Sequence, residues 1–296
     1  MYENEMIIAV KDGEGKIIAE QSYHEFLSGK KNIEILNYYT GQKLFDILYD
    51  DLDMIKYEDN KFMIKVMLEL NPMRTVMKIL GKIAEAVIVR RCNEDEELNK
   101  KWLSIARGKK AKWKTVDKFR AVGTGLKSTQ QLYPSIYNPF DTQRDIVWVD
   151  EEGMMAIIKK SSVAGMNAGL QVKVSRDGMG YFFRDLCNMR YEIPVVYFDI
   201  CNDYDNVMRE LRINQMQFSC PNPSIPLEEK FVKASAIDYE GYREVCYYED
   251  LVMALVQNKI TPDGLLNHGI TMKSKTLQNA LITASLSELP INNITY

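Results

Sequence analysis

Three polar side chains interrupt apolar, β-branched segments. Asp145 heads Ile146-Val147-Trp148-Val149, and Gln171 and Lys173 lie two apart within Leu170-Gln171-Val172-Lys173-Val174. Strict alternation reads as a strand. Its period of two puts Gln171 and Lys173 on one face, about 6.6 Å apart, with Leu170, Val172 and Val174 on the other. An ammonium on a central strand is costly to bury alone. A carboxylate with a bound cation and an anionic substrate would compensate it. The Asp145 carboxylate, the Gln171 side-chain carbonyl and the Val172 backbone carbonyl are hard oxygen ligands suited to Mg2+, with Mn2+ as a substitute. Such an ion polarises a phosphate and lowers the pKa of a bound water. Lys173 can orient that water and offset charge on the phosphorane. The chemistry this set could do is phosphodiester hydrolysis. Asp150, beside the acidic turn Glu151-Glu152-Gly153, is the competing acid; Asp145 is preferred because it stands at the strand start. The plain alternative for the whole set is an edge strand with one solvated face.

The elements that must position these groups run from residue 71 to 200. Asn71-Pro72 starts a helix, with Pro at its first position. Met73, Val76, Met77, Leu80, Ala84, Val87 and Ile88 then recur at helical spacing to about Arg91. Glu94 to Lys101 continues as a second helix, with Leu98, Trp102, Leu103 and Ala106 inward. The two strands follow, then a helix over Tyr181 to Met189. Ile193 to Ile200 is a near-continuous apolar run, the mark of a buried strand. Helix, strand, strand, helix, strand implies an α/β core with mixed strand pairing.

Asp145 followed by Gln171-Val172-Lys173 resembles the D…(D/E/Q)-x-K signature of the PD-(D/E)XK, or restriction-endonuclease-like, nucleases, in the Q-x-K form of Mrr-like enzymes. The spacing is 171 − 145 = 26 residues. Arg144 stands where the name of the family has a Pro, and Gln171 removes one negative ligand. The resemblance covers about residues 71 to 200. It implies a mixed central sheet flanked by helices, metal-dependent cleavage of DNA rather than RNA, and a role in bacterial restriction or anti-phage defence. A defence-system partner protein or a homo-oligomer is implied with it. It also implies a metal-proximal Glu on the preceding helix, where the candidate is Glu85. Glu85 lies roughly 120° from the centre of its helix's apolar stripe, the position of a solvated residue unless that edge borders the site. The missing acid at Gln171 favours an alternative, a catalytically inactive nuclease-fold subunit that binds nucleic acid or protein.

The rest of the chain bounds these readings. It has 296 residues, 46% hydrophobic and 27% charged, with net charge −3. That balance describes a globular chain, not a basic nucleic-acid coat protein. No apolar run of about 18 residues or more occurs, and no secretory leader is visible, so a cytoplasmic protein without a membrane span is expected. Cys92, Cys187, Cys201, Cys220 and Cys246 are widely spaced and form no C-x-x-C, so buried free thiols are expected. The two histidines, His24 and His268, have no partner at ligand spacing. No phosphate-binding G-x-x-x-x-G-K-[ST] loop and no G-x-S-x-G elbow occurs.

Lys100 to Arg120 is the most basic segment, opposed only by Asp117. Lys109, Lys110, Lys112 and Lys114 are candidate phosphate contacts, with the indoles of Trp102 and Trp113 near enough to stack on bases. Three regions result: an N-terminal α+β region (1–70), the nuclease-like core (71–219) and a mostly helical C-terminal region (220–296). In the first, Met6 to Val10, a turn at Asp12 to Gly15 and Ile17 to Ala19 form a hairpin. Helical patches follow at Tyr23 to Leu27 and Gly41 to Tyr49, then a strand at Lys61 to Leu68. Cys220 to Pro226 is a linker-like break.

Overall fold

The structure, a computed structural model, describes residues 7–11, 17–22, 25, 33–159, 164–188, 190–218 and 227–266. The described residues fall into two compact units. One is drawn from 1–76 and 247–296, the other from 77–246.

The first unit holds two antiparallel hairpins: β1 (Ile7–Lys11) with β2 (Ile17–Ser22), and β3 (Ile55–Glu58) with β4 (Lys61–Ile64). The second turns at Asp59 and Asn60, both in the left-handed region (φ 52° and 61°) that two-residue hairpin turns require. The helix α1 (Ile33–Asp46) runs on into a π-helical turn, Ile47–Asp51. The turn expected at Asp12 to Gly15, the linker at Cys220 to Pro226, both histidines and Cys220 lie outside the described residues, as does the patch at Tyr23 to Leu27 apart from Glu25.

The second unit is α/β, a mixed five-stranded sheet flanked by helices. Its strands are β5 (Arg120–Gly123), β6 (Ile146–Val149), β7 (Gly169–Ser175), β8 (Val195–Asp199) and β9 (Phe231–Lys233), in that spatial order. β5, β6 and β7 pair antiparallel; β7, β8 and β9 pair parallel. β6 and β8 are buried throughout, as their apolar runs require. β9 falls in the stretch expected to be mostly helical. Its three residues are too few to carry a period and are recruited by β8.

Two helices precede the sheet: α2 (Pro72–Glu94) and α3 (Glu96–Arg107). α3 starts where the Asp95 side chain accepts the Leu98 N–H (3.0 Å) and ends at left-handed Gly108. Its inner residues Leu98, Trp102, Leu103 and Ala106 are buried. Asn99 ties it to the sheet, accepting the Trp148 indole N–H (2.7 Å) and donating to the Phe119 carbonyl (3.2 Å). Trp148 marks one face of the sheet. The other face carries Tyr197 and Phe231. It packs under the short helices α4 (Gly178–Tyr181) and α5 (Phe183–Cys187) and the longer α6 (Tyr204–Phe218), through Phe182, Leu186, Val207 and Leu211. On its β5–β6 side the same face has Val122, Val147 and Val149 under Tyr133 and Ile136. Between these two covers the face stays open.

Candidate active site

The pairing of β6 with β7, Ile146 opposite Leu170, puts Asp145 opposite Gln171 when carried one residue further. Paired residues share a face. Asp145, Gln171 and Lys173 therefore stand together on the face left open, and the chain keeps them close there. A Cβ on Gly169 would meet the Ile146 carbonyl at 2.8 Å, so only glycine lets β6 approach β7 at this point. Before β6, the Asp141 carboxylate accepts the N–H groups of Gln143 (2.8 Å) and Arg144 (3.0 Å), which fixes the turn that delivers Asp145.

The open face is a cleft of about 340 Å3. Its floor holds Asp145, Gln171 and Lys173; its walls include Asp141, Tyr181, Asp185, Arg190 and Tyr191. The Asp145 carboxylate is buried and accepts two hydrogen bonds on one oxygen, from the Gln171 amide and from the Val172 N–H (2.7 Å). The Gln171 N–H goes the other way, to Pro194 (3.0 Å). Backbone groups alternate sides along a strand, so Val172 turns both its N–H and its carbonyl toward the Asp145 edge. The Gln171 Oε1 is buried and has no hydrogen-bond partner among the described residues. Lys173 sits over the Tyr191 ring, 5.2 Å from its centroid.

Glu85 does not line the cleft. It is 3% exposed, not solvated as its angle on the helix suggested, and both its oxygens accept from Lys82 (2.8 and 2.9 Å). A helix edge against the site buries what the apolar stripe leaves out. Burial first, then the charge of Asp145, pushes the Glu85 carboxyl up to about 8. Burial likewise raises Asp145, against the pull of Lys82, the Val172 N–H and Lys173. Burial lowers the Lys173 ammonium, opposed mainly by Asp145. For Lys82, burial is the largest cause and pulls down, but Glu85 and Asp145 together outweigh it and hold the ammonium above its ordinary range. Four ionisable groups thus feel one another: Lys82, Glu85, Asp145 and Lys173.

This arrangement fits a divalent cation. Two buried carboxyls are both driven toward the neutral form by burial, against the pull of Lys82 and Lys173, and an amide oxygen beside one of them has no partner among the described residues. Among the described residues no group of three or more His, Cys, Asp or Glu side chains could hold a metal ion, so a site here needs the oxygens of Gln171 and Val172 as well. Asp150 lies at the other end of β6. It accepts the N–H groups of Glu152 and Met154 and pairs with Lys118 (3.2 Å), which keeps its carboxyl below the usual range, the Met154 bond first.

Lys109, Lys110, Lys112 and Lys114 are exposed, in the loop between α3 and β5 and its single helical turn Trp113–Val116, and none lines the cleft. Their loop leads to Lys118 at the Asp150 end of β6, away from Asp145. Trp102 is fully buried and cannot stack on a base; it packs the inner face of α3. Trp113 is 42% exposed, with the Lys100 ammonium 3.4 Å from its ring centroid. Gln143 bridges two walls of the cleft, donating to the Arg190 carbonyl (3.0 Å) and accepting the Glu192 N–H (3.2 Å). Of the cysteines expected to be buried, Cys92 is, Cys187 and Cys246 are half-buried, and Cys201 is exposed.

Lys82, Tyr181, Asp185, Arg190 and Tyr191 were not anticipated. Lys82 had a legible signal, three residues before Glu85 on one helix. The others come from the connection between β7 and β8, where one helix was expected over Tyr181 to Met189 and two short ones stand, and they meet the site only through the fold. Among the described residues no helix is long and apolar enough to cross a membrane. No protein-family model, curated protein or solved structure matches the chain.

Proposed function

We propose that the chain is a divalent-cation-dependent endonuclease with a restriction-endonuclease-like core, that it hydrolyses phosphodiester bonds of DNA, and that it serves bacterial restriction or anti-phage defence. The observation that carries this reading is the unpartnered, buried Gln171 Oε1 beside Asp145, on the strand face that also presents Lys173. Asp145, Gln171 Oε1 and the Val172 carbonyl would hold Mg2+ or Mn2+, with Glu85 next to them. When bound, the ion supplies Lewis-acid activation of the phosphate and a lower pKa for water. Lys173 Nζ, its ammonium weakened by burial, donates to a phosphate oxygen and can move a proton at that atom. Lys82 keeps the Glu85 carboxyl oriented.

The test uses purified protein with plasmid, single-stranded DNA and RNA, in Mg2+, Mn2+ or EDTA. Cutting in the divalent ions and not in EDTA is expected. Asp145→Ala and Lys173→Ala each lower it by roughly 100-fold or more with the fold intact. Metal-dependent cutting undiminished in both variants would end the proposal. A second reading, a subunit that binds without cutting, draws on one observation: Asp145 already accepts two internal hydrogen bonds on one oxygen. Binding without cleavage under every ion condition would select it.

A further inference from the structure

The cleft that holds the candidate site has two chemically different sides. Its floor is charged. Beside it stands an aromatic wall, built from Tyr181, Phe182 and Tyr191, with the Tyr191 ring under the Lys173 ammonium. Phe182 and Tyr191 are 1% and 2% exposed, so they back the wall from within. Tyr181 is 61% exposed, and its ring meets Phe182 edge-on at 5.9 Å. It is the aromatic side chain of this wall with a surface free for a ligand. A fixed backbone holds it in place. The Asp177 side chain accepts the Gly180 N–H (2.9 Å), and Asp203 accepts the Gly178 N–H (2.7 Å). A Cβ on Gly178 would meet the Tyr197 hydroxyl at 3.0 Å, so this turn is seated directly on the sheet.

Arg190 completes the wall. Its guanidinium pairs with Asp185 (2.8 Å) and lies 5.5 Å from the Tyr191 ring centroid, yet the side chain is half exposed. The Gln143 bridge to the Arg190 carbonyl holds its backbone against the segment that delivers Asp145. A planar, always-charged fork at the rim suits a phosphate oxygen.

We infer that this wall recognises an unpaired nucleotide, with Tyr181 stacking on its base and Arg190 taking the phosphate next to the one over Asp145 and Lys173, so that the preferred substrate is single-stranded DNA. The inference rests on the nuclease reading and names its substrate class. The volume, about 340 Å3, suits one bound nucleotide and is at the low end of the roughly 300–1,000 Å3 typical of small-ligand pockets. An aromatic face can stack only on a base whose own face is uncovered, which a base inside a duplex does not offer.

The experiment is fluorescence anisotropy of a labelled 12-nucleotide single strand and of its blunt duplex, with the full chain, in EDTA and in Ca2+. The wild type is expected to bind the single strand at least 10-fold more tightly than the duplex. Tyr181→Ala should weaken the single strand by about 5- to 150-fold, the range of one base stack, and leave the duplex unchanged. Tyr181→Phe should restore single-strand binding, which a merely structural role for the hydroxyl would not predict. Arg190→Ala should lower the salt dependence of single-strand binding by the equivalent of about one neutralised phosphate. Equal affinity for the two forms, or equal losses of both in Tyr181→Ala, overturns the inference and leaves the phosphodiesterase reading standing. Binding of neither form in either buffer overturns both.

Discussion

Gln171→Glu places an acid in the middle position of the D…Q-x-K set, and its cost and rescue follow from the surroundings of the side chain. The Gln171 amide now donates to a buried Asp145 oxygen. The variant replaces that donor with a second carboxylate. Losing a hydrogen bond to a charged group costs about 1.5–3 kcal/mol. Two charges about 4 Å apart repel by roughly 4 kcal/mol at an effective dielectric of 20. Sharing a proton caps the repulsion, because both groups are buried and the pair takes up a proton instead of ionising twice. A net loss of about 3 kcal/mol near pH 7.5 in EDTA is the result, or roughly 6–12 °C in melting temperature for a unit of this size. A divalent ion reverses the sign. It binds the folded state, and at about 100 times its dissociation constant adds roughly 2.7 kcal/mol. The added carboxylate should also tighten that binding. Thermal unfolding of wild type, Gln171→Glu and Gln171→Leu, each in EDTA and in Mg2+, separates the terms. Gln171→Glu should melt well below wild type in EDTA and at or above it in Mg2+, while Gln171→Leu stays low in both. A Gln171→Glu deficit of the same size in both buffers refutes the cation-site reasoning.

Three further outcomes are expected. The Glu85 carboxyl is raised to about 8 from an ordinary 4.5. The folded state therefore keeps a proton that the unfolded chain has lost, and in EDTA this stabilisation is full below about pH 4.5 and fades as pH rises through 8. Urea midpoints across that window should fall less steeply for Glu85→Gln, and identical slopes would show that Glu85 does not titrate there. Replacing Lys109, Lys110, Lys112 and Lys114 together by Ala should flatten log K against log salt by about 0.7–0.9 for each phosphate that the loop neutralises, with turnover at saturation unchanged because the loop lies outside the cleft; an unchanged salt slope assigns the loop to solvent. Arg91 makes a two-pronged bond to Asp238 (2.7 and 2.9 Å), with both side chains mostly buried, so Arg91→Ala should lose about 3–5 kcal/mol in chemical denaturation and Arg91→Lys should recover only part of it. A loss under 1 kcal/mol would mean that the Asp238 carboxylate finds another partner.

The sheet was legible where the chain repeats a period over enough residues. β6, β7 and β8 and the helices α2 and α3 read directly, because burial on one or both faces selects their side chains. β5 and β9 did not: β5 is as short as β6 but lacks its unbroken apolar run, β9 is three residues long, and the place of each is set by the neighbour that pairs with it. β3 has a fainter signal in the adjacent Asp59 and Asn60, residues that tolerate positive φ, between two β-prone segments. The site divides the same way. Asp145, Gln171 and Lys173 were legible because polar groups stand out in apolar strands. The wall was not: Tyr181 and Asp185 fall where one helix was expected over Tyr181 to Met189 and two short ones stand, Arg190 follows in a loop, and the pattern of this crossover from β7 to β8 does not say which side chains reach the site. Topology brings it to the site. The parallel pairing of β7 with β8 sends the chain out over the sheet face and back to the start of β8, and the residues entering β8 come to rest against those entering β6, where Gln143 binds Arg190 and Glu192. An acid that opens β6 and an arginine that precedes β8 thus meet although 45 residues (190 − 145) separate them. In such a fold the polar floor of the cleft is written in the strands, and its wall is written in the connection that crosses over them.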